Sequence, residues 1–247
     1  MSQTLEGPRT APVQAAAAPR FDVYAGIHKA IRLFMTDTLT RLGCVDGADL
    51  AELRGAIDQL MALLALMRSH IEHEDQFIHP AMEARRAGSA EHAAAEHDEH
   101  RASIDALECE ANAMTAAPAP QREALALRLY RHLALFVAEN LQHMHAEETA
   151  HNAVLWAAYR DDELIALHDE LLASVPPAEM AQVLHWMAPA LAPAELTRML
   201  GAMQTEVPPE AMRDVLARVQ ARLPQDRWAR LALALRLPQA PGLVYFG

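Results

Sequence analysis

Histidine is the anomaly of this 247-residue sequence: there are 13, and ten of them lie between His70 and His151. Two, His70 and His143, are followed four residues later by Glu74 and Glu147. Residues four apart on a helix sit about 6 Å apart along the axis and on nearly one face, so each pair can offer an imidazole and a carboxylate to the same metal. His79/Glu83 and His92/Glu96 share the spacing. The flanking residues choose between them. His79 precedes Pro80, which reads as a helix end, and His92 has Ser89, Glu99 and Ser103 as helical neighbours, whereas the other two pairs sit among Leu, Met and Phe. A carboxylate on an apolar seam costs several kcal/mol unless it is neutralised, paired or bound to a metal. Two at matching places call for a cation.

A lone histidine precedes each pair, His28 by 42 residues and His97 by 46, so the chain holds two half-sites, each a His followed by His-x-x-x-Glu. Four imidazoles, two carboxylates and no thiolate suit iron, manganese or zinc, and two bridging carboxylates imply two metals about 3.5–4 Å apart. Two histidines and two bridging oxygens per metal leave positions open, which favours small-ligand or redox chemistry over a closed structural site.

Helices must carry these residues. Apolar positions recur at three- and four-residue steps through Phe21–Met35, Leu60–Phe77, Ala93–Met114 and Leu129–Val154, each seam with histidine in its middle. Breaks near Gly43–Gly47, Ala87–Ser89 and Ala117–Pro120 are short and favour antiparallel neighbours. The expectation is all-α: an up-down-up-down four-helix bundle, a shorter helix over about Asp162–Ala173, and then a different register. Pro177, Pro193 and Pro209 recur every 16 residues at first-turn positions, with Met, Leu and Val behind them. That pattern predicts an array of short helical hairpins. The chain thus divides into a tail over 1–20, a di-metal bundle over 21–173 and a helical-repeat module over 174–247. The repeat's methionines read as core, and the module as a surface for a protein partner or for self-association.

The composition excludes much else. Aromatics are 5% and glycines only 9, which suits helices and disfavours sheets. A net charge of −12 with scattered acids leaves no basic stripe for nucleic acid or an anionic membrane. The longest apolar stretches are broken well short of a membrane span, and no leader peptide is apparent. Cys44 and Cys109 are too few for a disulfide framework, and a cytoplasmic location is expected.

The sequence resembles the hemerythrin-like (HHE cation-binding) family from Phe21 to about Ala173. The resemblance rests on His28 in GIHKAIR, His70 and Glu74 in HIEHEDQFIHP, His97 in EHDEH, and His143 and Glu147 in HMHAEET. It implies a carboxylate-bridged, and in one form oxo-bridged, pair of non-haem irons in a four-helix bundle, with O2, nitric oxide or peroxide as ligand. The oxygen carriers' fifth histidine falls at Arg101, and their His-x-x-x-x-Asp reads His143 to Glu148. The set looks closer to the four-His, two-Glu arrangement of bacterial di-iron proteins linked to iron–sulfur repair, without their N-terminal cysteine-bearing domain. Sensing, storage or scavenging of O2 or NO is the leading expectation. Peroxide reduction or dismutation, and iron delivery or repair, are the alternatives, and no residue is assigned a catalytic role. His100, on the seam three residues after His97, reads as a hydrogen-bonded neighbour of the ligands or a fifth ligand, and His73 similarly. Tyr24 reads as a buried aromatic able to donate to the centre. His132, His145, His151, His168 and His185 read as surface or packing histidines.

Overall fold

A computed structural model describes residues 20–238; the N-terminal stretch 1–19 and residues 239–247 of the expected C-terminal module lie outside the described residues. Every regular element within that range is helical. Helix α1 (Ala25–Cys44) starts where the Asp22 carboxylate accepts from the backbone N–H groups of Tyr24 and Ala25. Helix α2 (Leu50–His73) starts on Asp49, which accepts from Ala51 and Glu52. Such caps satisfy donors that a helix start otherwise leaves unpaired. The remaining bundle elements are α3 (His79–Arg85), α4 (Glu91–Ala116), α5 (Ala119–Ala146) and α6 (Asn152–Ala158). α1, α2, α4 and α5 pack in a closed ring, each against its neighbours, which is the expected antiparallel bundle.

The second long helix does not end at Pro80. A π-turn over Glu74–Ile78 joins α2 to α3, with the His79 N–H donating to the Glu74 carbonyl, and a second π-turn over Glu147–His151 joins α5 to α6. The reading of His79 as a helix-end residue is therefore corrected. Proline is tolerated here because it occupies the second position of a new helical segment, where its missing N–H breaks no essential bond. Gly88 takes φ +78° in the turn before α4, a conformation that costs a Cβ-bearing residue strain. Glu83 pins that turn by accepting from the N–H groups of Gly88 and Ala90 at 2.7 Å each.

Beyond α7 (Asp161–Ser174) come α8 (Pro177–Ala190), α9 (Pro193–Glu206), α10 (Pro209–Arg222) and α11 (Gln225–Ala234). Closest packing in this array joins alternate members, α8 with α10 and α9 with α11. Helix α8 also lies along α1, where Trp186 stacks on Phe34 with ring centroids 4.1 Å apart and belongs to the bundle's own core. Polar ties reinforce the seam: Lys29 to Glu195 at 2.6 Å, Gln182 to the Ala62 carbonyl at 2.9 Å, and the Ser69 hydroxyl to Glu179 at 2.6 Å. Trp186→Ala should cost about 3 kcal/mol through the cavity it leaves. Urea unfolding of the full chain, followed by far-ultraviolet circular dichroism, measures the loss.

Three apolar clusters result. The largest fills the bundle from Leu42 and Leu53 to Met67, Ile104, Leu133 and Phe136. A second, around Val23, Ile78, Met82, Leu155 and Leu164, closes the other end, and the third lies within the C-terminal array. Between the first two runs a layer of buried polar residues.

Candidate metal centre

All six seam residues meet in that layer. His28, Glu74, His97, His143 and Glu147 are buried, and the His70 side chain is 10% exposed. Their ligand atoms form two groups, His28/His70/Glu74/Glu147 and Glu74/His97/His143/Glu147, the atoms of each lying within 4.8 Å of one another. The carboxylate oxygens divide between the groups. Glu74 Oε1 lies 3.2 Å from His70 Nε2 and 3.8 Å from His28 Nε2, while Oε2 lies 3.4 Å from His97 Nε2. Glu147 is the mirror case, with Oε2 3.4 Å from His28 Nε2 and Oε1 3.2 Å from His143 Nε2. Each carboxylate thus presents one oxygen to each histidine pair, the arrangement of a two-cation bridge.

Carboxylates fix the outer edge of three imidazoles. His28 Nδ1 is 3.1 Å from Glu148, His97 Nδ1 is 2.7 Å from Asp75, and His143 Nδ1 is 2.8 Å from Glu96. Holding the proton on Nδ1 leaves Nε2 as a lone pair aimed inward, which is how metal-binding histidines are oriented. The anchors are themselves tied down, Glu148 by Arg32 and Asp75 by Arg101, so the position expected for a fifth histidine carries a cation that steadies an anchor instead. Residue type and spacing alone assign no anchoring role to Asp75, Glu96 or Glu148. The available signal was adjacency: each acid is the chain neighbour of Glu74, His97 or Glu147.

The donor set fits a metal pair on an independent observation. His28 Nε2, His70 Nε2 and all four oxygens of Glu74 and Glu147 are buried without a hydrogen-bond partner among the described residues. Native interiors rarely leave such groups unpaired, and two unpaired carboxylates cost several kcal/mol each. His97 Nε2 and His143 Nε2 face each other at 3.0 Å, two lone pairs with room for a proton or a cation.

The electrostatics agree. Burial opposes a charge on His28, yet Glu148, Glu74 and Glu147 lift its pKa to about 9; at His143 burial is likewise outweighed by Glu147 and Glu96, again giving about 9. Burial dominates at His70, whose pKa falls to about 3. Burial would raise Glu74, but His70, His28 and His97 hold its carboxyl well below the usual range, while burial and the neighbouring Glu74 push Glu147 up. Protons therefore occupy His28 and His143 below pH 9 in the metal-free protein and compete with any cation. Metal uptake at neutral pH should release up to two protons, and apparent affinity should rise by up to about a hundredfold per unit from about pH 6 to pH 8. Chelator competition across that range is the check.

The remaining candidates fall around this layer. Tyr24 is buried, stacks on His28 with centroids 5.1 Å apart, and shares a 3.2 Å hydrogen bond with His151 Nδ1. His100 is buried edge-on to His143 at 4.8 Å with its Nδ1 unpartnered among the described residues. His73 points away, to Ser69 and toward Glu179 on α8. His92 is open to solvent. His151, read as a surface or packing residue, is buried, as is His79.

A family profile described as the Hemerythrin HHE cation binding domain matches residues 21–155. No curated protein and no solved structure gives a significant match.

Proposed function

The chain belongs to the hemerythrin HHE cation-binding family, and from that premise we propose that it is a non-haem di-iron protein that takes up O2 or nitric oxide for sensing, storage or scavenging. The observation that carries the proposal is the division of the Glu74 and Glu147 oxygens between two histidine pairs. In this reading His28 and His70 would hold one iron and His97 and His143 the other, and Glu74 and Glu147 would offer an oxygen to each. Imidazole and carboxylate donors without thiolate suit iron. When bound, the irons supply Lewis-acid and one-electron chemistry to a small ligand. The chain supplies the rest. Glu148, Asp75 and Glu96 hold Nδ1 and aim the Nε2 atoms inward, the two apolar clusters exclude bulk water, and Tyr24 and His100 place polar groups at the edge of the layer.

Peroxide turnover is the second reading, favoured by the hydroxyl and imidazole pair Tyr24–His151 beside the layer, which can hold or pass protons. The bundle, 21–173, is assigned the metal chemistry and 174–247 the packing and partner contacts. Among the described residues no helix is long and apolar enough to cross a membrane.

Iron quantitation and optical spectra of the purified full chain, with and without O2, NO and peroxide, test the function. Two irons per chain and reversible spectral change with O2 or NO support it. Rapid peroxide loss without stable diatomic binding favours the second reading, and one zinc without iron overturns both.

A further inference from the structure

The six residues of the paired centre leave the buried His79 imidazole unused. His79 Nε2 is buried and has no hydrogen-bond partner among the described residues, and no part of the paired-centre reading engages it. Its other ring nitrogen sits 3.1 Å from Asp75 Oδ1, the carboxylate that also anchors His97. His79 is thus placed like the ligands, with an acid behind it and a bare nitrogen ahead. Ahead of it are Glu147 and His151: ligand atoms of His79, Glu147 and His151 lie within 4.8 Å of one another, and all three residues are buried. The His79 and His151 rings meet edge to face at 5.8 Å, and Tyr24 steadies His151 from behind. Two imidazoles and a carboxylate form a donor set for a first-row divalent cation.

This group has a route to solvent. A cleft of about 350 Å³ opens between the Arg86–Ser89 turn and Ala150, His151 and Val154, so His151 belongs both to its wall and to the donor group. Glu147, in turn, belongs to the donor group and to both halves of the paired centre. Cleft, His151 with His79, Glu147 and the pair therefore form a continuous series of ligands from surface to interior.

We propose that His79, His151 and Glu147 form a third divalent-cation site, a loading station through which iron passes from the cleft to the paired centre. The proposal rests on the di-metal reading. A cation held by His79 and His151 sheds water at the foot of the cleft, and the Glu147 carboxylate is the donor it shares with the interior positions.

Metal-free full-length protein titrated anaerobically with Co2+, a spectroscopic stand-in for Fe2+, tests it. The expected result is two tight equivalents and a third, weaker one. His79→Gln and His151→Gln should each abolish the third, keep the two tight equivalents as evidence of an intact fold, and slow filling of the tight positions about tenfold or more. Two equivalents with no third in the unaltered protein overturn the site and leave the paired centre standing; no uptake at all overturns both. A third equivalent that survives both substitutions removes it from these residues. Loss of the third equivalent with unchanged filling rates overturns the loading role.

Discussion

Glu147→Ala is expected to empty both metal positions at once, whereas His28→Ala empties one. The difference follows from the carboxylate geometry. Glu147 places Oε2 beside His28 and Oε1 beside His143, so its removal takes a donor from each position and leaves Glu74 alone to neutralise both cations. His28 contributes its Nε2 to one group only. Loss of an outer partner typically lowers metal affinity 10–100-fold, so loss of a shared ligand should exceed about a hundredfold at both positions. Iron quantitation after reconstitution should show Glu147→Ala near zero and His28→Ala near half the content of the unaltered protein. Full iron content in Glu147→Ala would mean that the glutamates do not bridge.

Complete chelation should lower the melting temperature by on the order of 10 °C. A ligand that binds only the folded chain at a thousandfold excess over its Kd stabilises by about 4 kcal/mol. A domain of this size shifts by about 2–4 °C per kcal/mol. The physical source is the pair of buried carboxylates whose oxygens have no hydrogen-bond partner among the described residues. Protonated His28 and His143 offset part of that loss below about pH 9 and cease to do so as those protons leave. The gap between metal-bound and metal-free protein should therefore widen as pH rises. Calorimetry of the full chain at two pH values measures it, and an unchanged melting temperature after verified metal removal would sink the idea of a central site.

Most of the centre could be read from the sequence because helical geometry turns four-residue spacing into a shared face, and because Leu, Met and Phe around His70 and His143 marked that face as interior. The bundle was legible for the same reason. His79 and His151 were not, since His79 directly follows one π-turn and His151 ends the other, where the helical count falls out of step, and Pro80 imitates a helix end. The docking of α8 was equally hidden. Trp186, Val183 and Met187 are apolar at helical spacing whether they face their own array or the bundle, and only the Phe34 stack shows which. The anchoring acids escaped because a carboxylate beside a ligand looks, in sequence, like any solvated charge.

The two π-turns have a geometric consequence. An α-helix advances about 100° per residue, so one surplus residue re-phases everything beyond it by a little over a quarter of a revolution. Glu74–Ile78 and Glu147–His151 lie at the same level, so α3 and α6 are both re-phased relative to the long helices above them. The bundle is accordingly geared in two stages, with Met67 and Leu133 in the upper apolar cluster and Met82 and Leu155 in the lower. The polar layer is the clutch plate between them. Excision of one residue from either turn would rotate the segment beyond it by about 100° and carry Met82 or Leu155 out of the lower cluster.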